Sequence, residues 1–180
     1  MYYLRNLLYF VNGVLKCLFI KLFHPKGFHF KGFGRMALSS RITILNKGKM
    51  TLGKNLRIIE QSSISVLKEG TLVLGDNVSL GGNNRIVCHD SITIGDGTIM
   101  GPNVCIYDHD HLFNSESGVD RYQYKTSEIS IGRKCWIGAD VIILRGTHIG
   151  DRCLIAAGSV VKGNIPDGTT YIQKRQNDLK

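Results

Sequence analysis

"ISIGRKCWIGADVIILRGTHIGDRCLIAAGSVVKGNI", residues 129–165, carries a strict six-residue rhythm. Ile131, Ile137, Ile143, Ile149, Ile155 and Val161 follow one another at intervals of six without a gap. Four places after each stands Cys135, Val141, Thr147, Cys153, Ser159 and Ile165, mostly small. A helix repeats its apolar face every 3.6 residues and a strand every 2, so neither yields a period of six. A short strand plus a corner does. Three such hexads make one flat-sided coil of eighteen residues. Stacked coils pair along the axis at roughly 4.8 Å and bury each other's apolar edges. The stretch therefore predicts an all-β fold, a parallel β-helix.

Working outward, the rhythm recurs upstream at Ile94, Met100 and Ile106. Further back, "LGDNVSL" from Leu74 and "LGKNLRI" from Leu52 repeat at steps of about 20 and 22, which predicts looser early coils. After Ile106 the next hexad start would be residue 112, yet the rhythm resumes at Ile131. Residues 112–130 are thus expected to be a loop excursion, and insertions in repeat proteins collect on one face, often the binding face. At its root lies "DHDH", Asp108–His111. The spacing also predicts that Cys135 and Cys153, eighteen apart, stack inside as small core residues. Cys105 reads as another small core residue rather than a nucleophile.

The N-terminus, "MYYLRNLLYFVNGVLKCLFIKLF", has helical periodicity. Arg5, Asn6, Tyr9, Asn12, Gly13 and Lys16 fall on one side, and Leu4, Leu7, Leu8, Val11, Val14, Leu15 and Leu18 on the other. An amphipathic helix over 2–22 is expected, stopped by Pro25. Its apolar face must be covered, either by the protein's own body or a sister subunit, or by an anionic membrane surface. The three cations that interrupt it make a membrane span or a signal peptide a poor reading. The organisation expected is a helix over 1–25, a β-helix domain over 26–166 and a tail over 167–180.

The chain of 180 residues is 43% hydrophobic and 21% charged, which excludes a disordered chain. A net charge of +9 suits an anionic partner or only a solvated surface. No aromatic-plus-basic platform supports nucleic-acid binding. Five cysteines without a CxxC pair argue for reduced thiols in a cytoplasmic protein, peripheral at the inner face of the cell membrane if the helix docks there.

The segments "IGDGTIMGPNVCIYDHDH" and "ISIGRKCWIGADVIILRGTHIGDRCLIAAGSVV" resemble the hexapeptide-repeat acyltransferases. The likeness is strongest to the branch holding galactoside, maltose and serine O-acetyltransferases and sugar- or capsule-modifying relatives. It covers about residues 70–166. It implies a left-handed β-helix, a hand that spacing does not decide and that opposes the general crossover preference. It further implies a homotrimer and acetyl-CoA as co-substrate, with no metal. Carried over by position, His109 matches the general base. Asn84 matches an asparagine near the reacting acyl group. Trp136, Gly138, Ala139, Ala157, Gly158 and Lys162 match the coenzyme A channel. The chain departs from the family at its end, "PDGTTYIQKRQNDLK", where Lys174 and Arg175 are the candidate phosphate partners. His111, Asn83 and Tyr107 are candidates for holding the acceptor.

The chemistry implied is acetyl transfer to a hydroxyl, on a sugar of a capsular or cell-surface polysaccharide. A neutral imidazole takes the alcohol proton as oxygen attacks the thioester, help worth about 10²–10⁴-fold. Its second ring nitrogen needs an acceptor to fix the tautomer. Asp108 is a candidate, although strand neighbours point to opposite faces, and a backbone carbonyl or a neighbouring chain's carboxylate would also serve. The alternatives are a serine acetyltransferase, an amino-sugar N-acetyltransferase, and a zinc hydrolyase like the gamma carbonic anhydrases. The last would use His89, His109 and His111.

Overall fold

The computed structural model describes residues 2–174. After one helix the chain winds into a triangular prism with three flat parallel sheets. Seven strands make the first face, from Phe28–Phe30 to Asn164–Ile165. Seven make the second, from Arg35–Met36 to Thr170–Tyr171, and six the third, from Arg41–Ile44 to Val160–Val161. The chain visits the faces in that order on every turn, which is the left-handed β-helix expected.

Register shows how each coil is built. Ser130 pairs with His148 and Trp136 with Leu154, a step of 18. Earlier coils step by 20, as in Ser79 with Ile99, and by 22, as in Lys49 with Thr71. The added residues sit at the corner between the third and first faces, where Asn46 and Lys68 hold left-handed backbone. Asparagine is among the few side chains that tolerate that region. Corner side chains also bond upward: Asn83 Nδ2 donates to Asn103 Oδ1 at 2.9 Å, and Asn103 Nδ2 to Asp140 Oδ1 at 2.9 Å.

The hexad isoleucines fill the prism. Ile131, Ile137, Ile143, Ile149 and Ile155 are all buried, as are Cys135 and Cys153, which stack one coil apart. Strand pairing continues to Tyr171, five residues beyond the expected boundary of the coils.

The excursion is a hairpin and not an irregular loop. His109–Asn114 pairs antiparallel with Gly118–Thr126. The ladder on the third face jumps from Cys105 to Ile142, a step of 37. The inserted segment therefore begins at the DHDH stretch itself, and regular coil resumes at Ile129.

The helix α1 spans Tyr2–Phe23. It lies across the open end of the prism with its polar stripe inward, the reverse of packing by the apolar face. Asn12 Nδ2 donates to the carbonyls of Met36 and Ala37 at 2.8 and 3.1 Å. Lys16 Nζ donates to the Ala37 and Ser40 carbonyls, and Tyr9 to Glu60. The physical reason is the solenoid's end: the first coil has no neighbour to pair its backbone, and polar side chains satisfy it. Cys17 is buried at this contact, and Gly13 lets the helix approach the Gly34 carbonyl closely.

Candidate active site

The corner between the third and first faces gathers the titratable groups. His109 opens the hairpin there, one coil above His89, and Lys68 lies one coil below that. The His89 and His109 rings stack with centroids 3.9 Å apart and planes 25° apart.

Asp108 and His109 do meet. Residue 108 forms a bend between Cys105–Tyr107 and the hairpin, so strand alternation does not hold across it. His109 Nδ1–H donates to Asp108 Oδ1 at 3.2 Å. The same carboxylate, fully buried, accepts the His89 N–H at 2.9 Å and the Asp90 N–H at 2.8 Å. Burial alone pushes the Asp108 carboxyl up, but the bonds from His109 and these two amides outweigh it and hold it below the ordinary value. A buried anion thus fixes the imidazole tautomer, leaving Nε2 as the lone-pair nitrogen. The His109 side chain keeps 13% of its surface exposed.

Burial, and then the neighbouring His109, push His89 down to about 4. It stays neutral near pH 7, and its buried Nδ1 has no partner. Tyr124, on the returning hairpin strand, folds over this pair. Its ring centroid lies 4.6 Å from His89, 5.4 Å from His109 and 4.5 Å from His111. Lys68 Nζ sits 4.5 Å from the same ring. Arg145, one coil above, pairs with Asp110 and ties the hairpin down. Tyr124, Lys68 and Arg145 escaped the sequence reading. They lie far apart along the chain, and only the hairpin register could have placed Tyr124 opposite His111.

The remaining candidates divide between places. Tyr107 is half-buried, edge-on to His109 at 6.2 Å. His111 is exposed, its Nδ1 3.1 Å from the Asp120 carbonyl. Asn83 and Asn84 are at another corner, between the second and third faces. Asn83 is part of the asparagine ladder there. Asn84 is 1% exposed and its Oδ1 accepts the Val104 N–H at 2.8 Å. The expected place of Asn84 near the reacting acyl group is therefore corrected: its amide is sealed inside the prism, where Nδ2 has no partner.

Trp136, Gly138, Ala139 and Ala157 do come together. With Gly101 and Pro102 they line an apolar groove of about 390 Å³ on the second face and its far corner. Trp136 is 60% exposed there. Gly138 is required by packing, since a Cβ would fall 2.6 Å from the Ala157 backbone nitrogen. Gly158 holds a left-handed turn at the same corner, φ 71°. Lys162 is exposed at the histidine corner, two coils above His109. Lys174 is exposed beyond the last strand, and Arg175 lies outside the described residues. Among the described residues no group of three or more His, Cys, Asp or Glu is placed to hold a metal ion. The zinc reading needs converging ring nitrogens, whereas His89 and His109 lie face to face.

The family described as "Bacterial transferase hexapeptide (six repeats)" matches residues 128–163. A putative lipopolysaccharide biosynthesis O-acetyl transferase, WbbJ of Escherichia coli (strain K12), is 33% identical over 101 residues, covering 52% of each chain. Galactoside O-acetyltransferase of the same strain is 38% identical over 84 residues, 47% of this chain and 41% of that one. The chain spans about half the length of the curated relatives it matches. Among solved structures, AntD, an N-acyltransferase from Bacillus cereus in complex with dTDP and 3-hydroxybutyryl-CoA, superposes with a TM-score of 0.65 at 19% identity. The match covers 82% of this chain and 80% of that one. PerB from Caulobacter crescentus, in complex with CoA and GDP-perosamine, gives 0.53 at 16% identity, covering 74% and 51%. At these identities the superpositions speak for the fold.

Proposed function

We propose that this chain, a member of the hexapeptide-repeat transferase family, is an acetyl-CoA-dependent O-acetyltransferase acting on a sugar hydroxyl. The observation that carries the reading is the imidazole of His109, held at Nδ1 by a buried carboxylate while the side chain stays partly exposed. His109 Nε2 takes the proton of the acceptor hydroxyl while its oxygen bonds to the thioester carbonyl carbon. As the tetrahedral intermediate collapses, the carbon–sulfur bond breaks and the thiolate takes the proton back from the imidazolium. Asp108 positions the ring and balances the transient cation. No acyl-enzyme is needed, and Cys105 takes no part.

The apolar groove at Trp136, Gly138, Ala139 and Ala157 suits the slender arm of coenzyme A, which carries few groups needing strong partners. Within one chain this groove and His109 occupy different corners. Three prisms side by side would bring the groove of one against the histidine corner of the next, so the reading includes a homotrimer.

Of the proteins named above, the two O-acetyltransferases support oxygen as the acceptor atom; the solved neighbours act on nitrogen or hold nucleotide sugars. The test is thiol release from acetyl-CoA against a panel of glycans, amino sugars and serine. Transfer to a sugar hydroxyl is expected, with His109→Ala reducing turnover by about 10²–10⁴-fold. Transfer only to amines would overturn the oxygen assignment, and full turnover in His109→Ala would overturn the base.

A further inference from the structure

We infer that α1 is an in-plane anchor for an anionic lipid bilayer. Its polar stripe is already used: Asn12 and Lys16 hold the prism end, and Lys21 Nζ donates to the Pro25 and Phe28 carbonyls at 2.7 Å each. What remains outward is a continuous apolar surface. Leu4 and Leu15 are 61% exposed, Leu7 58%, Leu18 51%, Leu22 75% and Phe23 63%. So much clustered apolar area on a soluble surface marks an interaction site.

Charge identifies the occupant. Residues 1–60 carry eleven Lys and Arg against one acid, Glu60, while the remaining 120 carry twelve against thirteen. Residues 1–60 thus carry +10 and the rest −1, so the positive excess belongs to α1 and the coils beside it, with Lys26, Lys31, Arg41, Lys47 and Lys49 among its cations. A second copy offering the same end would set like charge against like charge. Anionic headgroups beside an apolar interior complement both features at once.

By length and composition the helix is long and apolar enough to cross a bilayer. Crossing would pull Asn12, Lys16 and Lys21 off the carbonyls they hold and into hydrocarbon. Lying flat keeps those bonds and buries only the leucine and phenylalanine face. An apolar groove of about 590 Å³ lies between α1 and the strand Arg41–Ile44, lined by Leu15, Phe19, Ile20 and Ile42. It adds apolar surface on the same end.

The test is sedimentation of the full chain with vesicles of phosphatidylcholine alone and of phosphatidylcholine with phosphatidylglycerol. Binding to the anionic vesicles is expected. It should fall at least about tenfold in Leu7→Glu/Leu18→Glu, whose side chains avoid the prism, and in Lys31→Glu/Lys49→Glu. Circular dichroism and melting establish that each variant is folded. Equal binding to neutral vesicles would overturn the anionic assignment. No pelleting, with the leucine variant lowering the mass measured by light scattering, would give the face to a second copy and overturn the proposal. Unchanged pelleting in both folded variants would do the same.

Discussion

Among the described histidines, His89 has a buried ring nitrogen without a partner, and the imidazole of His109 stacks on it 3.9 Å away. In the unfolded chain it takes a proton near the ordinary value of about 6.5. In the fold, burial and His109 push it down to about 4. Between these values the unfolded state binds the proton and the native state does not, so stability falls as pH falls through that window. The melting temperature is expected to decline from about pH 6.5 to about pH 4, and the slope to flatten in His89→Asn. An unchanged slope in that variant would mean that the stack admits the charge. The Asp108 contribution has the same sign and lies lower, since its carboxyl is held below the ordinary range and titrates only in stronger acid.

Among the elements, α1 shows where pattern reading succeeds and where it stops. Periodicity and Pro25 give its two faces and limits of 2–22, one residue short of the observed Tyr2–Phe23. Which face turns inward does not, because hydrophobicity favours the leucines while the open end of the solenoid needs hydrogen-bond partners. The hairpin repeats the lesson. Its length was legible as a gap in the hexads, but its register, which brings Tyr124 over His89 and His109, depends on cross-strand pairing no single-sequence pattern reports. The Asp108–His109 bond was obscured for a related reason, the bend at residue 108. Gly13 offers a test with opposed expectations. Helix propensity alone makes Gly13→Ala stabilising by about 1 kcal/mol. The contact decides otherwise: a Cβ there would lie 2.1 Å from the Gly34 carbonyl oxygen, which is backbone and cannot swing aside. Net destabilisation on the order of 1–3 kcal/mol is expected from overpacking, read by denaturant unfolding. A gain in stability would show that α1 does not rest on the prism end.

The whole prism sets a geometrical problem that the residues alone hide. The hexads make one corner carry His109 and another carry the Trp136 groove, and the faces between them are rigid sheets, so no loop motion within one chain joins the two. Motif spacing groups both sets into one site, since it does not say which corner each occupies. If the site is a seam between chains, each seam takes its histidine from one chain and its groove from the next. Two dead variants then rescue each other: His109→Ala keeps a working groove, and Ala139→Trp, which fills the groove, keeps a working base. In a trimer assembled at random from equal amounts, about a quarter of the seams pair an intact histidine with an intact groove. Co-expressed and purified together, the two variants are expected to regain about that fraction of wild-type turnover, while each alone stays inactive. A site contained within one chain gives no rescue at any ratio. Mixing separately purified variants without exchange of chains supplies the blank, and activity that rises only after chain exchange ties the recovery to shared seams.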